Sequence, residues 1–213
     1  MRVRPRLARV LLRLTRWRVT GTLRAPGVFV GAPHTSNWDF VLAMLVLWSF
    51  GIRPKALVKR EAFVGPLAPV LRALGAVPTE RKGTGGLVAR LEAEAARNPD
   101  FVLVLAAEGT RSRTEYWRSG FYRLARSTGL PVTFCWVDGP TRTVGLSAPI
   151  DLTGDVSADM DRVRTIYAHA RGVRPGKVNV PRLRAEDEPA GDDAPGAGTL
   201  GDRPGTDGDA PAT

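Results

Sequence analysis

The stretch GVFVGAPHTSNWDFVLAMLVLWSF, residues 27–50, predicts a strand, a turn and a buried helix in direct succession. Residues 28–32 form a short apolar run typical of a buried strand, and the chain turns at Pro33 and His34. Residues 37–50 are apolar almost throughout, which favours a helix buried inside a larger domain. A strand that leads through a short turn into a buried helix is the repeating unit of α/β folds.

The same alternation continues along the chain. Its clearest buried strand is FVLVLA, residues 101–106. The apolar pattern predicts further strands at 56–59, 76–77 and 132–137, and helices at 66–74, 86–97, 118–127 and 155–170. The sequence therefore predicts an α/β fold, a single domain with a mainly parallel or mixed sheet flanked by helices.

Residues 1–20 predict an amphipathic helix, with large apolar side chains on one face and arginines on the other. The apolar residues are Val3, Leu7, Val10, Leu11, Leu14 and Trp17, and the arginines are Arg2, Arg6, Arg9, Arg13 and Arg16. Such a helix suits the interface of an anionic membrane. It can equally pack on its own domain with the arginines solvated, and the two arrangements are compatible.

The charge of the chain is distributed unevenly. Residues 185–213 contain a single large apolar residue, Leu200, and predict a disordered acidic tail that follows a folded domain at 21–184. The tail carries eight acidic residues and one arginine, so the total charge of +10 leaves +17 on the rest of the chain. A body this basic favours polyanionic partners, such as nucleic acid, an anionic bilayer or phosphorylated substrates.

The apolar runs are short. The longest, residues 40–52, falls below the ~18–20 residues that span a bilayer. Arginines interrupt residues 1–23, which therefore lack the continuous apolar stretch of a signal peptide. We expect a peripheral protein at the cytoplasmic face of the cell membrane. Cys135, the single cysteine, lies in an apolar strand-like run and is expected to be a structural thiol.

The turn after the first buried strand carries a histidine and, five residues later, an aspartate. With His34 in the turn and Asp39 in the first helical turn, the carboxylate can reach one imidazole nitrogen. The other nitrogen can then take a proton from a substrate hydroxyl, as in general-base catalysis. Alternatively, Asp39 forms a capping box with Ser36, three residues earlier, and His34 is a hydrogen-bonded turn residue.

A second candidate site follows the strand at 101–106. The sequence there is Ala107-Glu-Gly-Thr-Arg-Ser-Arg113, a glycine turn with two arginines at the carboxyl end of a strand. Backbone N–H groups and guanidinium groups both bind phosphate oxygens, and ligands of α/β sheets bind at this edge. A polar turn with solvated arginines is the alternative.

Together these motifs resemble the glycerolipid acyltransferases, the family that includes lysophosphatidic acid acyltransferases. The family's H-x-x-x-x-D matches His34 and Asp39, and its E-G-T-R matches Glu108, Gly109, Thr110 and Arg111. The similarity runs from about Gly27 to Val137. Shorter matching segments lie at Lys59–Phe63, Gly65-Pro66, Leu74-Gly75 and Ser119–Tyr122.

The resemblance implies an O-acyltransferase and the roles of its site residues. His34 would act as general base, oriented by Asp39, and acyl-CoA or an acyl carrier protein would be the donor. The acceptor would be a lysolipid, converted from 1-acyl-sn-glycerol-3-phosphate to phosphatidic acid. No cofactor, metal or covalent enzyme intermediate is implied. The implied substrate-binding residues are Glu108, Gly109, Thr110, Arg111 and Arg81.

Three departures from the family pattern leave the acceptor open. Pro78 stands where the second motif usually has Phe, and Pro33 stands where Asn often precedes the histidine. The segment Leu130–Phe134, which matches the family's fourth motif, V-P-I-x-P, lacks the second proline of that motif. The same chemistry could therefore act on lyso-ornithine lipid, another lysophospholipid or a glycolipid acceptor. A non-catalytic basic module that binds membrane is a further alternative. Nucleic acid is not expected as a partner, because neither a stacking platform nor a recognition motif is present.

Overall fold

The computed structural model describes residues 3–23, 26–79, 84–109, 114–174 and 178–187. Strands lie at β1 (Arg18–Thr20), β2 (Gly27–Ala32), β3 (Lys55–Lys59), β4 (Ala76–Thr79), β5 (Val102–Ala106), β6 (Val132–Asp138) and β7 (Thr143–Leu146). Helices lie at α1 (Val3–Leu14), α2 (Asn37–Ser49), α3 (Leu67–Ala73), α4 (Thr84–Ala95), α5 (Gly120–Thr128) and α6 (Val156–Tyr167). Short 3₁₀ turns occur at Arg60–Ala62 and Arg184–Glu186.

The strands form a mixed sheet in the order β1-β7-β6-β2-β5-β3-β4. Its neighbours are parallel except for the antiparallel pair of β6 and β7. Strand β2 lies in the middle, with Phe29 opposite Val104 on one side and Thr133 on the other. The predicted single α/β domain with a mixed sheet flanked by helices is confirmed.

Successive side chains of β2 supply the two faces of the core. Val28 and Val30 are fully buried against α5 and α6, in a cluster that contains Phe121 and Met160. Phe29 points to the opposite face and packs with Met44 of α2. Since β3 and β4 follow β2 in one direction across the sheet, right-handed crossovers place α2 and α3 on the same face. Helix α1 joins this layer, because its Leu12 shares a cluster with residues of α2.

The structure differs from the expected elements at the two ends of the domain. The N-terminal helix ends at Leu14, and residues 18–20 form the edge strand β1, which pairs with β7. At the other end, Glu186 pairs with Arg164 at 2.8 Å, so the ordered body includes the first residues of the predicted tail. Residues 188–213 lie outside the described residues, and the disorder of the tail stays a prediction.

Pro78 occupies a position in which proline does little harm to the sheet. It lies in β4, opposite Val58, and β4 is the last strand of the sheet. Proline lacks the N–H donor that a central strand requires, and an edge strand has one side without a ladder.

The described helices include none that is both long enough and apolar enough to cross a bilayer.

An ion pair between the buried Asp138 and the exposed Arg171 ties the end of β6 to the chain after α6. The Arg171 guanidinium donates from Nε to Oδ1 of Asp138 at 2.7 Å and from a terminal nitrogen to Oδ2 at 2.8 Å. This contact holds the pKa of Asp138 down at about 2. A carboxyl whose pKa is lowered on folding contributes stability above its unfolded pKa, near 4, and loses it as the pH falls through its folded pKa.

We therefore expect Asp138→Asn to lower the melting temperature at pH 7, and the difference from the unsubstituted protein to shrink as the pH falls from about 4 towards 2. Thermal unfolding followed by circular dichroism at several pH values measures this. Asp100→Asn, at an exposed aspartate, is the control and should leave the melting temperature unchanged. A deficit of constant size at every pH would contradict the role of the ionised pair.

Candidate active site

The site lies at the carboxyl ends of the neighbouring parallel strands β2 and β5. His34 follows β2 by two residues, after a cis Ala32–Pro33 peptide bond, and Glu108 follows β5 by two residues. Because Gly31 and Ala106 are in register, the two segments leave the sheet side by side. The His34 N–H donates to Oε2 of Glu108 at 2.7 Å, so the two predicted motifs meet.

His34 and Asp39 face each other across the turn that begins α2. Nδ1 of His34 lies 3.4 Å from Oδ2 of Asp39. The same Oδ2 accepts the backbone N–H groups of Thr35 and Ser36, each at 2.6 Å. The carboxylate is 8 % exposed and the imidazole 22 % exposed. The carboxylate is therefore fixed by the main chain, and the histidine is the partner with access to solvent.

The capping box weighed as an alternative is also present. Ser36 is the N-cap of α2, and its hydroxyl accepts the N–H of Trp38 at 3.3 Å. The Asp39 carboxylate in turn accepts the N–H of Ser36. The box holds the Asp39 carboxylate at the start of the helix, where it also faces His34. Helix capping and orientation of the histidine are thus two consequences of one arrangement.

The Glu108 carboxylate is hydrogen-bonded to two groups of the protein itself. It is 2 % exposed, and while Oε2 accepts from His34, Oε1 accepts from Nδ2 of Asn179 at 3.0 Å. Burial raises the pKa of this carboxyl, although the two hydrogen bonds oppose the shift. These contacts fit a carboxylate that fixes the backbone of the turn carrying His34, residues 33–36. The role of Glu108 in substrate binding stays a prediction.

Gly109 is described, and its φ of +62° begins the turn expected to bind phosphate. The side chain of Arg118 lies next to this glycine, about 3 Å from where a Cβ would stand. Thr110, Arg111 and Arg81 lie outside the described residues. Their roles in binding the substrate stay predictions.

Two residues near the site have surroundings that the sequence did not reveal. Trp38 lies in the first turn of the helix that was expected to be buried, and its side chain is 64 % exposed. Asn179 belongs to no recognised motif, and it reaches the site only because the chain after α6 folds back beside Glu108.

Cys135 matches its expectation, since burial raises the pKa of the thiol to about 12 and leaves little thiolate at neutral pH.

The acyltransferase family model matches residues 16–138, more than half of the chain. The chain therefore belongs to the acyltransferase family, and it is an enzyme of the acyltransferase type. The matched residues include β2, α2 and β5 with both motifs of the site.

Its fold resembles that of the 1-acyl-sn-glycerophosphate (LPA) acyltransferase PlsC from Thermotoga maritima. The two structures superpose with a TM-score of 0.51 at 18 % sequence identity, over 79 % of this chain and 76 % of that one. No curated protein sequence matches the chain significantly. The likeness to PlsC is one of fold.

The contacts of Glu108 predict how its loss affects catalysis. In Glu108→Gln the amide can still accept from the His34 N–H, but its NH₂ then faces the NH₂ of Asn179. We expect kcat to fall roughly 10–100-fold, because the histidine is misplaced, while KM for the acceptor changes little. Steady-state kinetics measure both constants.

Glu92→Gln, on α4, is the control and should behave as the unsubstituted enzyme. A rise in the acceptor KM at constant kcat in Glu108→Gln would instead assign Glu108 to phosphate binding.

Proposed function

We propose that the protein transfers a fatty acyl group from acyl-CoA or an acyl carrier protein to the hydroxyl of a phosphorylated lysolipid. The proposed reaction converts 1-acyl-sn-glycerol-3-phosphate to phosphatidic acid. Membership of the acyltransferase family supports the reaction type. The observation that carries the proposal is the position of His34, whose Nδ1 faces Asp39 and whose main chain is held by Glu108.

In the proposed mechanism His34 is the general base. Nε2 takes the proton of the acceptor hydroxyl as the hydroxyl oxygen attacks the thioester carbonyl, and Asp39 stabilises the resulting imidazolium. The tetrahedral intermediate then collapses, the carbon–sulfur bond breaks, and the imidazolium returns the proton to the leaving thiolate. The products are the acylated lipid and the free thiol. A base placed in this way contributes about 10²–10⁴ in rate.

The choice of a phosphorylated acceptor rests on the turn after β5. Gly109 opens this turn beside Arg118, and Thr110 and Arg111 follow it in sequence. We propose Gly109, Thr110 and Arg111 as ligands of the acceptor phosphate, with Arg81 as a further ligand. Guanidinium groups and turn N–H groups bind phosphate oxygens well. The similarity in fold to PlsC, a 1-acyl-sn-glycerophosphate acyltransferase, supports the same class of acceptor.

The exposed apolar side chains support the proposal that the enzyme acts at a membrane surface. Nearly all the large ones among the described residues belong to the layer of α1, α2 and α3 or to the turns beside it. We call this set the apolar surface: Val3, Leu7, Val10, Leu11, Leu14, Trp38, Val41, Phe50, Val64, Leu67 and Val70.

Helix α1 is suited to both arrangements expected from its sequence, packing on its own domain and contact with a membrane interface. Its smaller or central apolar residues, Pro5, Ala8 and Leu12, are buried, and α1 packs against α2. Val3, Leu7 and Leu14 are more than half exposed, Val10 and Leu11 are more than a third exposed, and arginines alternate with them in the sequence. An exposed apolar stripe with arginines at its sides is suited to an anionic membrane interface.

The catalytic proposal is tested by substitution of the proposed base and its partner. With palmitoyl-CoA and 1-oleoyl-lysophosphatidic acid, His34→Ala and Asp39→Asn should each lower kcat by about 10²–10⁴, since the acceptor hydroxyl then lacks an oriented base. His169→Ala removes the other histidine, which packs on the Trp136 ring, and should retain activity.

The same assay with lyso-ornithine lipid and lysophosphatidylcholine in place of lysophosphatidic acid tests the acceptor. Turnover only of acceptors that lack a phosphomonoester would contradict the proposed phosphate ligands. Vesicle binding without turnover of any donor would favour the non-catalytic module.

The membrane proposal is tested with two apolar side chains of similar exposure. Leu14, on the apolar surface, is 74 % exposed, and Val180, outside it, is 70 % exposed. Leu14→Glu should weaken binding to phosphatidylglycerol-containing vesicles by roughly 10-fold, because it removes apolar contact and adds a negative charge. Val180→Glu should leave binding unchanged. Vesicle sedimentation measures both, and equal losses in the two variants would contradict the proposed surface.

A further inference from the structure

The chain after α6 returns to the active site and contacts the catalytic turn from a second side. We call residues 171–174 and 178–182 the C-terminal segment; it lies beyond the residues that the family model matches. The Arg174 N–H donates to Oγ1 of Thr35 at 3.1 Å. Gly172, at a φ of +71°, lies so close that a Cβ there would stand 2.6 Å from Cγ2 of Thr35. The segment therefore packs directly on the residue after His34.

Asn179 of this segment makes two hydrogen bonds with opposite requirements. Its Nδ2 donates to Oε1 of Glu108 at 3.0 Å, and its Oδ1 accepts the backbone N–H of Thr114 at 3.1 Å. An ionised carboxylate can only accept and a backbone N–H can only donate, so one amide orientation satisfies both partners. Aspartate lacks the donor for Glu108, and a shorter apolar residue lacks both groups.

The two partners of Asn179 flank the turn that is expected to bind phosphate. Glu108 precedes residues 109–113 and Thr114 follows them. Through Glu108 the amide also reaches the catalytic turn, because Oε2 of the same carboxylate accepts the His34 N–H. A single side chain thus connects both ends of one predicted motif to the backbone of the other.

We propose that Asn179 is a positioning residue for the catalytic histidine. Its amide fixes the rotation of the Glu108 carboxylate, and the carboxylate fixes the main chain of His34. The C-terminal segment is in this way part of the active site. The proposal rests on the proposed function in one respect, that His34 is the base whose position matters.

The hydrogen-bond chain makes a reciprocal exchange possible. Glu108→Gln alone sets two NH₂ groups against each other, and Asn179→Asp alone sets two carboxylates against each other. In the double variant Glu108→Gln/Asn179→Asp, the new amide accepts from the His34 N–H and donates to the new carboxylate. That carboxylate still accepts from the Thr114 N–H. Each donor of the original chain again meets an acceptor.

The test is a double-mutant cycle on the full-length enzyme at pH 8, with palmitoyl-CoA and 1-oleoyl-lysophosphatidic acid. We expect each single variant to lose about 10-fold or more in kcat and the double variant to recover to within about 3-fold of the original. Asn98→Asp is the matched control, because its side-chain oxygen accepts from the Asp100 N–H and aspartate can do the same. It should leave kcat unchanged.

The outcomes separate this inference from the proposed function. A kcat for Asn179→Asp equal to that of the original enzyme, or a loss in the double variant equal to the product of the single losses, overturns the positioning role. Full activity of His34→Ala overturns the proposed function instead. Melting temperatures of all variants are measured by circular dichroism. If a single variant fails to fold, a folded and active double variant still supports the exchange, and an inactive one overturns it.

Discussion

The hydrogen bond between the buried Glu108 carboxylate and the His34 N–H is the interaction on which the site depends. It joins the segments that leave two adjacent parallel strands, so the strand register in the sheet decides the distance between the two motifs. A carboxylate that is 2 % exposed is costly unless its oxygens are satisfied, and here each oxygen accepts one N–H group. Because the buried carboxylate must keep this hydrogen bond, it also fixes the position of the His34 backbone.

The second carboxylate of the site obtains its position from the helix that it caps. Oδ2 of Asp39 accepts the N–H groups of Thr35 and Ser36, just before α2, and the same oxygen faces the imidazole. N-terminal helix N–H groups lack intrahelical partners and stabilise a negative charge placed near them. Helix capping and placement of the carboxylate that faces His34 thus use the same bonds, so a change that weakens the cap also moves the carboxylate away from His34.

The site and the apolar surface are linked by α2. This helix begins just after the turn that carries His34, carries the exposed Trp38 in its first turn, and packs against α1, which exposes Val3, Leu7 and Leu14 to solvent. This layout would suit the proposed acceptor and donor, because their reacting groups need not leave the membrane interface completely. The basic charge of the body and the apolar surface would act together in attraction to an anionic leaflet.

The sequence by itself determined the α/β alternation, since apolar runs and helical periodicity are local properties of the chain. It also determined the pairing of His34 with Asp39, because both belong to one strand–turn–helix unit. It did not reveal β1 and β7, which are only three and four residues long and stable as strands only through their neighbours. The hydrogen bonds of Glu108 with the protein, and the position of Asn179 beside it, were decided by the tertiary structure alone. Both depend on segments 71 or more residues apart, which only the folded sheet and the returning C-terminal segment bring within hydrogen-bond distance.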